Sequence, residues 1–581
     1  MKFTQLLMQS LSISKVIGFA DLTDGKLICL RMTRRSENTD QIMTELQQLP
    51  VSNPSFSSLR KDNQLYVDKT ALIYELARYG NRQYLFTRPR RFGKTLLLST
   101  LESLFRDGLK MFHGLAIEKL WQDRGTYKVL HLDFSMTLSD SPESFEKSAE
   151  TMFLRAAEDC GLIERSSLQH DFSGLADAVD AVCRKSQDTS LVLLIDEYDS
   201  PLSANLNNPD VFESITSRMR SFFAAVKSYA GKFRFVFITG VSRFEHVSVF
   251  SAGSSIIDLS FDPAFGEIVG YTEEEIRRYF KGYLIRSAAL LNRVPEREVT
   301  EQQINALMDE LRRYYDGYCF DRKHMTHVYQ TWSVLRFFSS CGIPEFDDYW
   351  YDNGGITAIL VNYFRSHGGY FHQPAEMTYQ LKDFSSAASL ADMDPGVLLT
   401  QCGYYTIKGA DSDSITVGIP NVELQHAQAR LIREEIFDLK RLRTANAEKA
   451  VLSKKDITAA ECADFFNKIF SAVSSENRLT DEYQACDFIK VYCIGSGFDV
   501  RREYHQKKGR ADITVEFADH RLIAEMKFAR DGSSPERLLS AAEQQILDRD
   551  YGNYVPAKPL VRFAMVFSEE EQKIILWSGV K

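Results

Sequence analysis

The residues of this chain best suited to phosphate chemistry lie in the segment Thr87-Arg-Pro-Arg-Arg-Phe-Gly-Lys-Thr95. It follows the apolar run Tyr84-Leu-Phe-Thr87 and precedes a helical pattern from Thr95 to about Asp107, closed by Gly108. A Gly-Lys-Thr tripeptide between strand and helix has a physical use. Backbone N–H groups of Arg91, Phe92 and Gly93, at the positive end of the helix dipole, can cradle phosphate oxygens. Lys94 would then reach the β- and γ-phosphates, and the Thr95 hydroxyl would hold Mg²⁺. The general Walker A pattern GxxxxGK[ST] has glycine where this chain has Arg88, so a basic turn with no ligand is the plain alternative.

A second signal tilts the balance. Leu191-Val-Leu-Leu-Ile-Asp-Glu-Tyr-Asp199 reads as a buried strand ending in two acids, about 100 residues downstream, as a Walker B strand does. Asp196 would bind Mg²⁺ through water, and Glu197 would orient or deprotonate the attacking water. The next strand ends at Thr239-Gly-Val-Ser-Arg243. Thr239 is placed to sense the γ-phosphate; Arg243 is placed either to stabilise transferred charge or to make a structural ion pair.

The third constellation runs from Gly509-Arg-Ala-Asp512 to Glu525-Met-Lys527. With Asp519-His520 as a two-residue turn, Phe517 faces Leu522, Val515 faces Ala524 and Ile513 faces Met526, an entirely apolar face. On the other face Thr514 lies opposite Glu525, and Asp512 opposite Lys527. A one-residue slip would destroy the sorting, whereas a longer loop would leave it roughly intact. Two carboxylates with a lysine are a set for metal-assisted phosphodiester cleavage: Asp512 and Glu525 bind Mg²⁺ or Mn²⁺, and Lys527 positions water or stabilises charge on phosphorus. The plain alternative is an exposed hairpin with a salt bridge, worth about 0–1 kcal/mol.

These residues need a scaffold. The runs Tyr84–Thr87, Val129–Phe134, Leu191–Ile195 and Phe233–Thr239 are continuously rather than alternately apolar, which predicts a parallel α/β sheet covered on both faces. From the capping box Thr272-Glu-Glu-Glu275 onward the pattern turns mostly helical, with one strand expected at Tyr404–Ile407. The basic, polar stretch from Lys440 to Lys455 reads as a connector before a compact mixed unit. At 581 residues, two to four domains are expected. A net charge of −9 argues against a protein that coats nucleic acid non-specifically, but not against a local basic groove. No run of roughly 18 apolar residues occurs, so no membrane partner is expected. Gln5, Gln9, Ser10 and Lys15 interrupt the N-terminal apolar stretch and argue against a signal peptide. Nine scattered cysteines without a CxxC pair suit free thiols in a reducing cytoplasm.

Tyr66-Val-Asp-Lys-Thr70, the Arg-Pro-Arg-Arg-Phe-Gly-Lys-Thr loop, Ile195-Asp-Glu-Tyr-Asp199, Tyr271-Thr-Glu-Glu-Glu275 and Tyr315-Asp-Gly-Tyr318 together resemble the AAA-ATPase-like family of bacteria. Proteins of that family carry the same Arg-Pro-Arg-Arg loop and a C-terminal PD-(D/E)xK nuclease-like domain. The resemblance begins near Leu49 and implies nucleic acid as substrate, with DNA expected ahead of RNA. It implies further site residues: Glu503, ending a strand from Phe498 to Tyr504, as an additional acid, and Gln545, on a helix, as the glutamine beside the site. Glu482 is a weaker candidate of the same kind.

The expected fold class is therefore α/β: a P-loop NTPase parallel sheet, a helical middle region and a C-terminal α/β restriction-endonuclease-like (PD-(D/E)xK) domain. The expected boundaries are an N-terminal extension over 1–42, upstream of a natural start at Met43, then 43–270, 271–445 and 446–581. The functional expectation is an ATP-dependent, Mg²⁺-requiring nuclease. The alternative is a nucleotide-dependent switch or scaffold that binds nucleic acid or a protein without cutting. The middle region offers no chemistry to assign, and a homo-oligomer stays open.

Overall fold

A computed structural model describes residues 46–164, 172–205, 208–242, 250, 256–323, 326–340, 342–351, 360–361, 363, 376–380, 394–432, 434, 451–471, 478–495, 498–500, 511–517, 519–553 and 557–581. Arg243, Glu503 and the 1–42 extension lie outside the described residues, as does the connector before Val451.

Short helices α1 (Phe56–Lys61) and α2 (Thr70–Ala77) lead into strand β1 (Arg82–Thr87). With β2 (Lys128–Asp133), β3 (Leu191–Asp196), β4 (Phe233–Gly240) and β5 (Ile257–Asp258) it forms a wholly parallel sheet in the order β2-β3-β4-β1-β5. Every residue of β3 and β4 is buried, the physical cause of their unbroken apolarity. Alternate side chains serve two cores. Val192, Leu194, Phe235 and Phe237 join α3 (Lys94–Asp107) on one face. Leu193, Ile195, Val236 and Ile238 join α4 (Pro142–Asp159), α5 (Leu175–Lys185) and α7 (Pro209–Ser228) on the other, with the single turn α6 (Ser200–Ser203) between. β4 separates β1 from β3, so the ends of all three strands meet beside the start of α3.

In the middle region α8 (Glu273–Tyr279), α9 (Lys281–Asn292), α10 (Glu301–Tyr315) and α11 (Thr331–Phe338) pack around Tyr271, Phe280, Tyr315, Phe337 and Phe338. The expected capping box forms, with Thr272 and Glu275 each accepting the other's backbone N–H. Besides these helices the region holds a pair, β6 (Tyr318–Cys319) and β7 (His327–Val328), and an antiparallel sheet of β8 (Glu376–Gln380), β9 (Thr406–Ala410) and β10 (Ser414–Gly418) in the order β8-β10-β9. The single expected strand is thus one of three; both partners match its five-residue length, and β8 alternates exposed and half-buried positions along Glu376-Met-Thr-Tyr-Gln380. Helices α12 (Pro395–Gln401) and α13 (Val422–Leu431) complete the region.

The C-terminal unit places α14 (Ala459–Phe470) and α15 (Glu482–Gly495) before a mixed sheet of β11 (Asp499–Val500), β12 (Ile513–Glu516), β13 (Arg521–Ala529), β14 (Leu560–Ser568) and β15 (Lys573–Val580), neighbours in chain order. β13 and β14 run parallel, joined by α16 (Pro535–Arg549).

The β12–β13 hairpin corrects the expected pairing. Ile513 pairs with Ala524, Thr514 with Ile523, Val515 with Leu522 and Glu516 with Arg521, a displacement of two residues. The turn spans four residues, and the Phe517 N–H donates to the His520 carbonyl at 3.0 Å. A two-residue turn demands left-handed backbone that Asp-His supplies poorly. Because side chains alternate with period 2, a two-residue shift keeps both faces intact and changes only who faces whom. It also brings the acidic face under α16: Ile523 packs with Ala542 and Ile546 in a separate small core, so the hairpin is covered on both sides.

Candidate active sites

The loop after β1 enters α3 through two left-handed residues, Arg91 (φ +70°) and Gly93 (φ +98°). Glycine adopts such a backbone freely, and it turns amide groups toward the mouth of the loop. Lys94 is buried, and its Nζ donates to the carbonyls of Arg88 (2.9 Å) and Pro89 (3.2 Å), with Glu197 Oε1 at 3.6 Å. The tip of β4 and the first turn of α3 converge on Asp196 at the end of β3. Thr95 Oγ1 donates to its Oδ2 at 2.8 Å, and Thr239 Oγ1 to its Oδ1 at 2.6 Å. Glu197 follows in a left-handed conformation (φ +49°), a strained state for a non-glycine residue at a strand tip. Asp199, unassigned from sequence, accepts the amides of Val241 (3.0 Å) and Ser242 (2.7 Å) and so ties the ends of β3 and β4 together. Burial and the charge of Glu197 raise its carboxyl above the usual range, against those two amides.

Arg88 is not part of the loop's mouth. Its side chain is 2% exposed, turned away beneath the loop. Nη1 donates to the carbonyls of Thr87 (2.9 Å) and Ser260 (2.7 Å) and Nη2 to that of Phe265 (3.2 Å), with the guanidinium carbon 4.3 Å from the Phe86 ring centre and 4.5 Å from that of Phe320. Burial lowers its pKa to about 9, with Asp258 opposing. The departure from the general pattern is thus a strut.

The loop opens into a cavity of about 580 Å³, within the range that holds small ligands. Its lining joins Arg90, Arg91 and Lys94 to apolar Val51, Leu65 and Ile73. Thr331 and Trp332 of α11 line it too. Thr331 Oγ1 donates to the Arg91 carbonyl at 2.5 Å, and the Arg91 guanidinium lies 4.6 Å from the centre of the Trp332 ring. The middle region therefore supplies part of the pocket wall. No local pattern pointed to it.

In the C-terminal unit the corrected register sets Asp512 beside Glu525 rather than Lys527. The Asp512 N–H lies 3.4 Å from Glu525 Oε2, and the Met526 N–H donates to Asp512 Oδ2 at 2.8 Å. Lys527 Nζ reaches Glu525 Oε1 (3.2 Å), Glu482 Oε1 (3.3 Å) and the Met526 carbonyl (3.1 Å). Asp512, Glu525 and Lys527 are thus gathered, and Glu482 joins them from the start of α15. Glu525 is fully buried; burial first, then Asp512, raise its pKa, and Lys527 opposes. Lys527 is raised on balance: burial lowers it, and Glu525, Glu482 and Asp512 more than offset that. Gln545 stands one step back, donating to the Tyr551 hydroxyl at 3.1 Å. Burial raises the Tyr551 hydroxyl, and the charges of Glu525 and Asp512 raise it further, against the hydrogen bond from Gln545. At the closed end of the hairpin Arg521 donates to Glu516 at 2.5 Å, joined by Lys558 at 3.1 Å. That buried group is structural and braces the turn.

Among the described residues no three His, Cys, Asp or Glu side chains assemble as a metal-holding group. The facing pair Asp512 and Glu525 nevertheless fits Mg²⁺, which keeps several waters and takes one or two carboxylates plus substrate phosphate.

Comparison with known proteins places names on these two regions. Residues 50–250 match the family described as "Predicted AAA-ATPase", and residues 481–577 match the PD-(D/E)XK nuclease superfamily. The chain is also 25% identical, over 91% of its length and 98% of the relative's, to an uncharacterized protein in the vnfD 5′ region of Azotobacter chroococcum mcd 1. The chain therefore carries an AAA-ATPase-like domain over residues 50–250 and a PD-(D/E)XK nuclease superfamily domain over residues 481–577.

Proposed function

We propose that this protein binds and hydrolyses ATP and uses the nucleotide state to control a metal-dependent nuclease acting on nucleic acid, DNA ahead of RNA. The reading divides the chain into an ATPase part over 43–270, a supporting middle over 271–445 and a nuclease part over 446–581. The observation that carries it is the assembly in one chain of Thr95, Thr239 and Lys94 around Asp196 and Glu197, and of Asp512, Glu525 and Lys527 around one buried spot.

At the first site the amides from Arg91 to Thr95 would hold the triphosphate, and Lys94 would exchange its own loop carbonyls for phosphate oxygens. Thr95 and Asp196 would share Mg²⁺, which neutralises phosphate charge when bound. Glu197, paired with Lys94 in the structure, is released by that exchange to orient the attacking water. Thr239 keeps Asp196 in place. At the second site Asp512 and Glu525 would hold Mg²⁺ or Mn²⁺, which polarises the phosphodiester. Lys527 would stabilise charge on phosphorus, and Glu482 would orient Lys527. Among the described residues no helix is long and apolar enough to cross a membrane, and the described cysteines are free thiols, which suits a cytoplasmic setting.

The test compares Mg²⁺- and Mn²⁺-dependent cleavage of duplex and single-stranded DNA and RNA by wild type, Asp512→Ala and Lys94→Ala. Asp512→Ala should abolish cleavage, and Lys94→Ala should abolish only its response to ATP. Cleavage unchanged in Asp512→Ala would remove the reading. Nucleotide-dependent retention of DNA without cleavage in any metal would favour the switch instead.

A further inference from the structure

The candidate phosphate loop is gripped by the middle region at several residues in succession. Pro89 abuts Gly403: a Cβ built on Gly403 would stand 2.5 Å from the Pro89 Cβ and 3.7 Å from the Trp350 ring. Arg91 meets Thr331 and Trp332 of α11, as described above. Phe92 packs edge-on against Tyr318 (4.7 Å) and Phe320 (5.1 Å). A loop held this way cannot change shape around a phosphate without moving its neighbours, because packed interiors transmit displacement.

Two of these contacts converge on one side chain. Ser333, two residues along α11 from Thr331, places its Oγ 2.8 and 2.9 Å from the carboxyl oxygens of Glu423. The Trp350 N–H donates to the same carboxyl at 2.9 Å. Glu423 sits in the first turn of α13 and is fully buried. α13 in turn packs against α15, with Leu424, Ala427, Ala485 and Ile489 in the same core cluster. α15 begins at Glu482, which holds Lys527 of the nuclease site. From loop to lysine the chain of direct contacts is unbroken.

We infer that Glu423 is a positioning residue through which the nucleotide loop and the nuclease lysine are coupled. The inference rests on the ATP-controlled nuclease reading and names its internal link. A first-turn acid favours a helix N-terminus electrostatically, but that benefit is available at the surface, whereas a buried carboxyl is expensive unless its hydrogen bonds are all made. Burial pushes the Glu423 carboxyl up, so a neutral group of the same shape can stand in for it.

The experiment uses the full chain as wild type, Glu423→Ala, Ser333→Ala and Glu423→Gln. Three quantities are measured: equilibrium affinity for ATP·Mg²⁺, Mn²⁺-dependent DNA cleavage with and without ATP, and amide hydrogen exchange over 482–495 with and without ATP. In wild type, ATP should change cleavage about tenfold, within the usual range of coupling between sites, and alter exchange in α15. Glu423→Ala and Ser333→Ala should keep ATP affinity and nucleotide-free cleavage within about twofold while the ATP effect falls below about twofold. Glu423→Gln should restore it. Should Glu423→Ala fail to fold, Ser333→Ala, which removes only a hydroxyl, carries the same comparison. An ATP effect that survives intact in both Glu423→Ala and Ser333→Ala overturns the link while leaving the functional reading standing. A wild type whose cleavage and α15 exchange both ignore ATP overturns it too. Absence of cleavage in any metal removes the nuclease reading alone; α15 exchange that responds to ATP in wild type but not in Glu423→Ala still supports the link.

Discussion

Replacing Arg88 by glycine restores the general phosphate-loop pattern, so by motif logic Arg88→Gly should be harmless. The structure says otherwise. The guanidinium donates to three backbone carbonyls, those of Thr87, Ser260 and Phe265, and lies against Phe86 and Phe320. Hydrogen bonds from a charged donor contribute about 1.5–3 kcal/mol each, and desolvated ring contacts about 2 kcal/mol. Burying the charge, with Nε left without a partner, costs several kcal/mol in return, which offsets roughly two-thirds of a gross gain of about 9 kcal/mol. A net loss of about 3 kcal/mol is expected, since the carbonyls lose their donor and a cavity opens. With a slope of about 2 kcal/mol per molar urea, the unfolding midpoint of the ATPase-like domain should fall by about 1.5 M. ATP affinity, read by titration with a fluorescent ATP analogue, should fall with it, because Ser260 and Phe265 anchor the loop through this side chain. Arg88→Lys should lie between, as one ammonium cannot span the carbonyls that a planar fork reaches. An Arg88→Gly protein that unfolds at the wild-type midpoint and binds ATP as tightly would refute the reasoning.

Asp316 follows α10 with Oδ1 buried and without a partner, and burial pushes its carboxyl up to about 6. The unfolded chain, with a pKa near 3.9, gives up this proton first, so the stability associated with the neutral form is present below pH ~4 and lost as pH rises through about 6, on the order of 3 kcal/mol. Asp316→Asn should therefore unfold at higher urea than wild type at pH 7.5, with the gap closing toward pH 4; an equal gap at both pH values would contradict it. Gly403→Ala meets two penalties: the left-handed backbone (φ +85°) and the Cβ contact with Pro89 at 2.5 Å. It should lose about 2–4 kcal/mol and weaken ATP binding. Gly108→Ala (φ +64°, ψ −145°), with nothing within 4 Å of the new Cβ, should lose about 1–3 kcal/mol from backbone strain alone and bind ATP normally. Equal ATP affinities in the two variants would count against loop displacement.

What was legible along the chain is what is written locally. The unbroken apolarity of Leu191–Ile195 and Phe233–Thr239 announced strands buried on both faces. Glycine between a strand and a helix marked the loop, Thr272 and Glu275 marked a helix start, and the period-2 sorting of Ile513, Val515, Leu522 and Ala524 marked a hairpin with all its acids on one side. Each of these signals spans a few residues, because backbone period and turn chemistry act over that distance.

The pairing register was not legible, since a shift of two residues satisfies the same sorting; only the four-residue turn and the cover of α16 brought Asp512 to Glu525. Nor was the role of Arg88, whose partners at Ser260 and Phe265 lie 172 and 177 residues away. The pocket wall from Thr331, 240 residues beyond Arg91, and the bond from Ser333 to Glu423, 90 residues apart, leave no trace in any window of sequence. Such contacts are set by how layers pack once formed, and packing depends on shape summed over the whole interior rather than on the order of residues in one strand or helix.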